Sequence, residues 1–593
     1  INLMSRMPEK REFSLSSGYG DRLESDTGMG NLWSTYASYG DKIGKFRLYT
    51  AFGYRATRGY PTGLVLGSSA PTAESGIFGA TPTTDNKGKT KYLVGDTGDN
   101  GWWDYSAAIR AQYDLSDTAN IRFSWLRTVY RYGYENPHSY LRNSAGFPVY
   151  TYNNDAGKAV VKESSFVNGR GSEIMDIYTI HAEALLGTVK TKFLFGINDQ
   201  GDNWYTTPSS ATLAGGKGTM STSPSRTYYT DLQASLPIME KHVLTGGFTF
   251  RYDTADSNNL PVSDFKDPDS VSGASSQWGG GTTQTYSLYL QGEIALMDNL
   301  TLYAGLRDFW VSNDGYAGFT GTGATSETYP EKTKNSLNPK GAVVWKPLDG
   351  TTLRVSGGKA SRAPPLSQLY KTWVSSSTMT VYNSNPDLDP ETVLSWDIGA
   401  EQTLWTGAKI KATFFENYLS DMIYNVTVAG TTTIGEKAYK NKKYTNVGGA
   451  ETRGVELEIE QRISKHLRLF AGYTYTDSEI TEYDPDPTLV GKQLTQVPRN
   501  MFSVGADASY GPASLFVSGR YVGKRHTQDD NSDIVNNVYG SYDPYFVVDM
   551  KASYAITDWA TVSLSINNLL DREYYTYYVA PGRSWFANLD LKF

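Results

Sequence analysis

The sequence predicts an all-β fold, a 22-stranded antiparallel transmembrane β-barrel with short periplasmic turns and long extracellular loops. Three observations predict it. Apolar and polar residues alternate with period two along segment after segment, which is the mark of a strand with one greasy and one wet face. About 22 such segments follow one another, and no helical period competes with them. The connections alternate short and long along the whole chain, as an up-and-down barrel requires and a soluble sandwich does not.

In chain order the strands fall near 11–19, 31–39, 45–55, 104–113, 120–132, 173–186, 188–199, 225–236, 241–252, 284–295 and 299–311. They continue near 334–345, 351–361, 391–402, 408–418, 444–462, 465–478, 499–510, 513–522, 545–555, 560–568 and 584–593. The last is the most regular. In "SWFANLDLKF", Trp585, Ala587, Leu589, Leu591 and Phe593 share one parity, and Phe586 is the single apolar residue on the other. Bilayer hydrocarbon tolerates no unpaired sheet edge, so this final strand must close on the first.

The short connections are segments such as "GDKIG" (40–44), "DLSDTA" (114–119), "PIMEK" (237–241), "LMDN" (296–299), "YGP" (510–512) and "ITDW" (556–559). The long ones are 56–103, 133–172, 200–224, 253–283, 312–333, 361–390, 418–443, 479–498 and 523–544. They are rich in Gly, Ser, Thr, Asn and Pro and read as loops. Residues 1–10 read as a remnant leading into a barrel that occupies 11–593.

Composition agrees. The 593 residues include 58 Gly, 44 Tyr and 13 Trp, only 20% are charged, and there is no Cys. No run approaches 18 apolar residues, so no transmembrane helix is expected. A mean hydropathy of -0.45 does not argue against a barrel, whose lumen is polar. The net charge of -7 speaks against a nucleic-acid partner, and the missing thiols exclude disulfides, iron–sulfur clusters and thiolate zinc.

If the long loops face outward, they carry the recognition surface. Aromatic candidates for ligand contact are Trp102, Trp103, Tyr105, Tyr134, Trp204 and Trp278, joined by Tyr370 and Trp373. Flat rings stack on conjugated ligands and Tyr hydroxyls give directional hydrogen bonds. Arg362 and Arg525 are the candidate partners for an anionic ligand. For any one aromatic at a strand end, a place in the interfacial girdle is the commoner role. Trp102, Trp103, Tyr370 and Trp373 stand out because they lie within or at the mouth of long loops.

No resident cofactor, metal or catalytic centre is expected. The five His residues are scattered without ligand spacing. "GDTGDNG" (95–101) lacks the alternating ligands and closing Glu of a calcium loop. "KGKTK" (87–91) has Thr83 where a phosphate loop needs its first Gly. His526 near Asp529 and Asp530 has no assignable nucleophile.

The sequence also resembles the TonB-dependent outer-membrane receptors. The stretches that carry the resemblance are "GGKASRAPPLSQLY" (357–370), "NPDLDPETVLSWDIGAEQ" (385–402), "NVGGAETRGVELEIEQ" (446–461), "VPRNMFSVGADASY" (497–510) and "INNLLDREYYTYYVAPGRSWFANLDLKF" (566–593). The resemblance implies a receptor in the outer membrane of a Gram-negative bacterium, in contact with its lipid, importing a ferric siderophore or a similar metal chelate through its outer loops. Cobalamin, haem or a macromolecule are the other ligands it allows. It further implies an N-terminal plug on which the TonB complex pulls, with "INLMSRMP" similar to the last plug strand. The plug and TonB box are absent from the sequence, so TonB coupling is expected only where a plug is present. A separate plug or partner protein, or a passive pore, is the alternative. The C-terminal aromatic of such receptors acts as an assembly signal, which Phe593 matches.

Overall fold

A computed structural model describes residues 7–24, 27–154, 156–239, 241–320, 324–375, 378–434 and 436–593. The linker assigned to 1–10 therefore lies largely outside the described residues, as does position 240 of the "PIMEK" connection.

The wall begins with Glu12–Arg22 (β1), Leu32–Ile43 (β2), Phe46–Thr57 (β3), Asp99–Ser116 (β4), Ala119–Glu135 (β5) and Arg170–Leu186 (β6). Val189–Thr212 (β7), Ser225–Ile238 (β8), His242–Val262 (β9), Gln277–Met297 (β10), Leu300–Phe319 (β11) and Thr325–Trp345 (β12) follow. Next come Thr351–Arg362 (β13), Glu391–Trp405 (β14), Ala408–Ile434 (β15), Lys437–Ser464 (β16) and Leu467–Tyr483 (β17). Asn500–Tyr510 (β18), Ala513–Val522 (β19), Tyr545–Thr557 (β20), Ala560–Asn567 (β21) and Ser584–Lys592 (β22) complete it. Each strand pairs antiparallel with its predecessor, and β22 returns to β1 in the register Ser14↔Lys592 through Arg22↔Ser584. The 22-stranded cylinder is closed, as expected.

Alternation sorts the two faces. Leu288 and Leu290 are 56% and 54% exposed on the outside of β10, while Ser287 between β9 and β11 is fully buried on the inside. There Arg307 donates to the Ser287 (3.1 Å) and Thr249 (2.8 Å) hydroxyls and lies over the Tyr289 ring. Charges that would be prohibitive toward lipid are paired inside, as in Arg354–Asp397 at 2.7 Å. Phe586, the exception to the pattern of the last strand, has a reason. Its inward ring occupies the space above Gly18 and Gly20 of β1, where a side chain would collide with it.

Several expected loops are strands. β11 and β12 run through most of 312–333, and β15 and β16 are 27 and 28 residues long, absorbing 418–443. Above the bilayer neither face needs to be greasy, so the alternation fades while backbone pairing continues. Other outer connections fold on their own. Leu64–Gly67, Thr81–Thr84 and Thr90–Asp96 form a small sheet in 58–98, over a core of Val65, Val94, Leu141, Tyr152, Val161 and Phe166 shared with 136–169. Among the described residues the one α-helix is Leu366–Tyr370 (α1).

Candidate functional site

Successive strand residues point to opposite faces, so Trp102 and Trp103 cannot both face the lumen. Arg55 decides which does. Its guanidinium pairs with Asp104 across the β3–β4 ladder (2.6 Å) and lies 5.6 Å from the Trp102 ring centroid. Trp102 continues inward to Tyr130 (6.3 Å), which stacks on Tyr132 (6.0 Å). Tyr134 extends the same face, its hydroxyl 3.5 Å from Thr62. Trp103 instead stacks on Tyr105, and Tyr105 on Phe52, which is 50% exposed on the lipid side. The expectation that Trp103 and Tyr105 line the ligand mouth is therefore corrected: they are girdle residues. The loop predicted over 56–103 ends at residue 98, which puts all three in the wall.

Trp204 and Trp278 are also on the outer parity. Trp204 pairs in register with Ser172 and packs on the cluster of Ala211, Met220, Val262 and Phe265. Trp278 shares its face with Leu288 and Leu290 and covers Gly318 of β11. Both are packing residues of the tall strands rather than parts of an inner mouth.

The connection after β13 folds against the inner wall. Tyr370, at the end of α1, is fully buried, its ring laid over Gly281 of β10 and Gly315 of β11 and stacked on Tyr329 at 5.6 Å. Its hydroxyl has no hydrogen-bond partner, and burial pushes the phenol up to about 12. Tyr370 is an anchor, not a presented ligand contact. Trp373 stacks face to face on Tyr382 at 3.8 Å. Arg362 is engaged with Glu391 (2.6 Å), whose other oxygen accepts from the Ile423 amide. Replacing Tyr370 by Phe should leave the loop in place, because the hydroxyl makes no bond. Tyr370→Ala should cost about 3–5 kcal/mol of local packing and open 363–390 to limited proteolysis, read as a new cleavage band.

The other arm of the mouth comes from 523–544 and 568–583. Tyr574 stacks on Tyr545 (4.1 Å), and Arg520 sits over the Tyr545 ring at 6.0 Å. Arg525 lies 4.6 Å from the centroid of Tyr542, and its Nε and Nη2 are buried without a hydrogen-bond partner. Tyr539, Tyr577 and Tyr578 cluster at 5.1–6.1 Å. Burial raises the Tyr60 and Tyr539 phenols far above their ordinary value, with neighbouring phenols adding to it. The Tyr60 hydroxyl donates to the Val579 carbonyl (3.1 Å), which joins this arm to the one after β3.

His526 belongs to the scaffold. Its Nδ1 lies 2.9 Å from Asp533, not on Asp529 or Asp530, and the Thr527 amide donates to the second Asp533 oxygen at 2.7 Å. Burial works against the Asp533 charge, yet these hydrogen bonds hold its carboxyl below the usual range. Asp96 of "GDTGDNG" likewise accepts from the Gly98 amide (2.8 Å) and the Tyr140 hydroxyl (2.9 Å), so it serves as a loop clamp. Sequence reasoning missed the inner tyrosines 60, 130, 539 and 545. Strand parity continued past the bilayer was the signal for Tyr130 and Tyr545, whereas Tyr60 and Tyr539 lie in loops and carried none.

The family described as TonB dependent receptor-like, beta-barrel matches residues 31–569. The iron-regulated outer membrane virulence protein of Vibrio cholerae serotype O1 is 29% identical over 266 residues, 43% of this chain and 39% of its own length. The heme/hemopexin utilization protein C of Haemophilus influenzae is 26% identical over 260 residues, 40% of this chain and 35% of its own. The vitamin B12 transporter BtuB of Vibrio cholerae is 28% identical over 245 residues, 41% and 34%. The alignments thus span less than half the length of these relatives. Among solved structures, the siderophore receptor PirA from Acinetobacter baumannii superposes with a TM-score of 0.69 at 14% identity, covering 99% of this chain and 81% of that one. The copper transporter OprC gives 0.67 at 14% identity, covering 99% and 84%. At such identities the superpositions establish the fold. With the closed 22-stranded cylinder and a match over most of its length, the chain belongs to the TonB-dependent receptor-like β-barrel family of outer-membrane receptors and transporters.

Proposed function

We propose that the chain takes up an anionic, conjugated metal chelate of the ferric-siderophore class from outside a Gram-negative cell. Arg525 carries this reading. A guanidinium held on an aromatic face, with two buried nitrogens left without acceptors, is costly unless a ligand oxygen meets it. The surrounding rings Tyr542, Tyr545 and Tyr574, with Trp102 on the inner face of β4, supply stacking surfaces for catecholate or similar π systems. Relatives named for iron regulation, haem and vitamin B12 span the ligand classes under comparison. Charge favours the anionic ones, because a corrinoid that is neutral overall brings no net negative charge to Arg525. The TonB complex would act through a plug in the lumen, carried by the same or a separate chain.

Titration of the folded protein with a ferric tricatecholate, haem and cyanocobalamin, read by tryptophan quenching, tests this. Saturable binding of the ferric tricatecholate and none of cyanocobalamin is expected. Binding of cyanocobalamin alone would overturn the ligand class. No binding of any, together with steady ion conductance in planar bilayers, would favour a passive pore.

A further inference from the structure

One cavity of about 580 Å³ is lined mainly by residues of the outward parity, with the inner-row residues Thr57, Trp102, Tyr132 and Gly171 also bordering it. Its floor follows from strand register. Ala56, Trp103, Arg131, Ser172 and Trp204 form one cross-strand row. This row shares its face with Phe52, Ile109 and Phe123, all exposed toward lipid. One step higher, Gly101 pairs with Gly133 and Gly133 with Arg170, so two adjacent positions lack side chains and leave a trough. Trp103 and Trp204 line the trough, and Pro268 from the connection after β9 also lines it.

Height matters as much as face. Along β4 the outward residues from Leu115 through Tyr113 and Ile109 to Tyr105 cover about ten residues. At about 3.3 Å per residue and a tilt near 40° that is about 25 Å, the height of the apolar band of such barrels. Trp103 therefore stands at the outer boundary of the hydrocarbon, and the trough lies among the headgroups.

The charges there are mostly unanswered. Arg58 is paired with Asp99 at 3.4 Å. Arg131 lies over the Trp103 ring at 5.6 Å and has no carboxylate partner among the described residues. Arg170 has none either; the Asp264 carboxyl, held below its usual range mainly by the hydrogen bond from the Lys266 amide, feels Arg170 only as a distant charge. Glu135 at the upper edge is the remaining carboxylate of the lining. Two guanidinium forks beside two tryptophans, facing the bilayer at headgroup height, match phosphate oxygens above and acyl chain below.

We propose that this outer-wall cleft seats the phosphorylated headgroup of an outer-leaflet glycolipid. Arg131 and Arg170 hold phosphate, and the acyl chains run down the Trp103–Tyr105–Phe52 face. Arg131 and Arg170 take no part in the inner mouth, so the proposal stands or falls apart from the proposed ligand.

Native mass spectrometry of the full chain in mixed micelles tests it, with diphosphoryl lipid A, monophosphoryl lipid A, phosphatidylethanolamine and inorganic phosphate as probes. Diphosphoryl lipid A should be retained above the monophosphoryl form and well above phosphatidylethanolamine. The Arg131→Ala, Arg170→Ala double variant should retain about tenfold less of it. Arg462→Ala at the opposite rim should behave as the parent. Heat-dependent gel mobility verifies closure of each variant, and the single Arg131→Gln gives a several-fold loss if the double variant does not close. Equal retention by parent and variants, or of lipid A and phosphatidylethanolamine, overturns the proposal. So does displacement of the lipid by millimolar inorganic phosphate, which would mark a plain anion site.

Discussion

Replacing Arg525 by Ala is expected to weaken binding of a ferric tricatecholate by about 10- to 100-fold while the barrel stays closed. The size follows from losing a charge-assisted hydrogen-bond pair, about 1.5–3 kcal/mol, at about 1.4 kcal/mol per decade. The barrel should tolerate the change. Apart from its stack on Tyr542, worth about 0.5–1 kcal/mol, the guanidinium Nε and Nη2 make no hydrogen bonds that hold the fold together. Arg525→Lys separates charge from shape: it keeps the cation but loses the fork and much of the stack, so an intermediate affinity is expected. Arg362→Ala should do less to binding, because Arg362 is already committed to Glu391. Unchanged affinity in Arg525→Ala, measured by the same quenching titration, would remove the mouth assignment and leave the family assignment untouched.

That contrast between two arginines shows what the sequence could and could not express. Both stood at the edges of long connections and were equivalent as candidates. Only the register Arg362↔Glu391 revealed that one was neutralised in the ladder. The strands of the membrane band were legible because lipid imposes a face on every second residue. Their outer continuations were not, since water wets both faces of a tall hairpin such as β15–β16. Trp102 and Trp103 make the point at single-residue scale. Adjacent letters of one type looked like one feature, while the pleat sends the first to Arg55 and the second to Phe52 through Tyr105. Tyr370 is the converse case: its loop was found, but the paired glycines 281 and 315 that receive its ring lie far away in the chain.

Closing the cylinder is the step on which everything else depends, and two changes at the β1–β22 junction should expose it. A Cβ at Gly18 would stand 2.6 Å from the Ala587 carbonyl oxygen and run into the Phe586 ring. Gly18→Val therefore cannot pair in the native register without displacing β22, and an edge left open in hydrocarbon costs several kcal/mol per unpaired group. The folded yield, seen as the fast-migrating band on unheated gels, should fall by more than tenfold, given at least about 1.4 kcal/mol of lost pairing. Gly246→Val is the matched control. The nearest atoms to a Cβ there are 3.4 and 3.6 Å away, ordinary contact distances, and its strand is far from the junction. Deleting Phe593 should act more gently. It removes the reciprocal bonds Phe593 N–H to Phe13 O (2.9 Å) and Phe13 N–H to Phe593 O (3.1 Å), plus ring contacts with Trp559 and Phe13. These lie at the wet rim, where about 1–3 kcal/mol is at stake, enough to shift a urea midpoint but not to prevent refolding in vitro. If Gly18→Val folds as well as Gly246→Val, β1 and β22 do not form the seam. A loss of assembly in cells on deleting Phe593, with in vitro stability intact, would instead assign that residue to recognition during insertion rather than to holding the barrel shut.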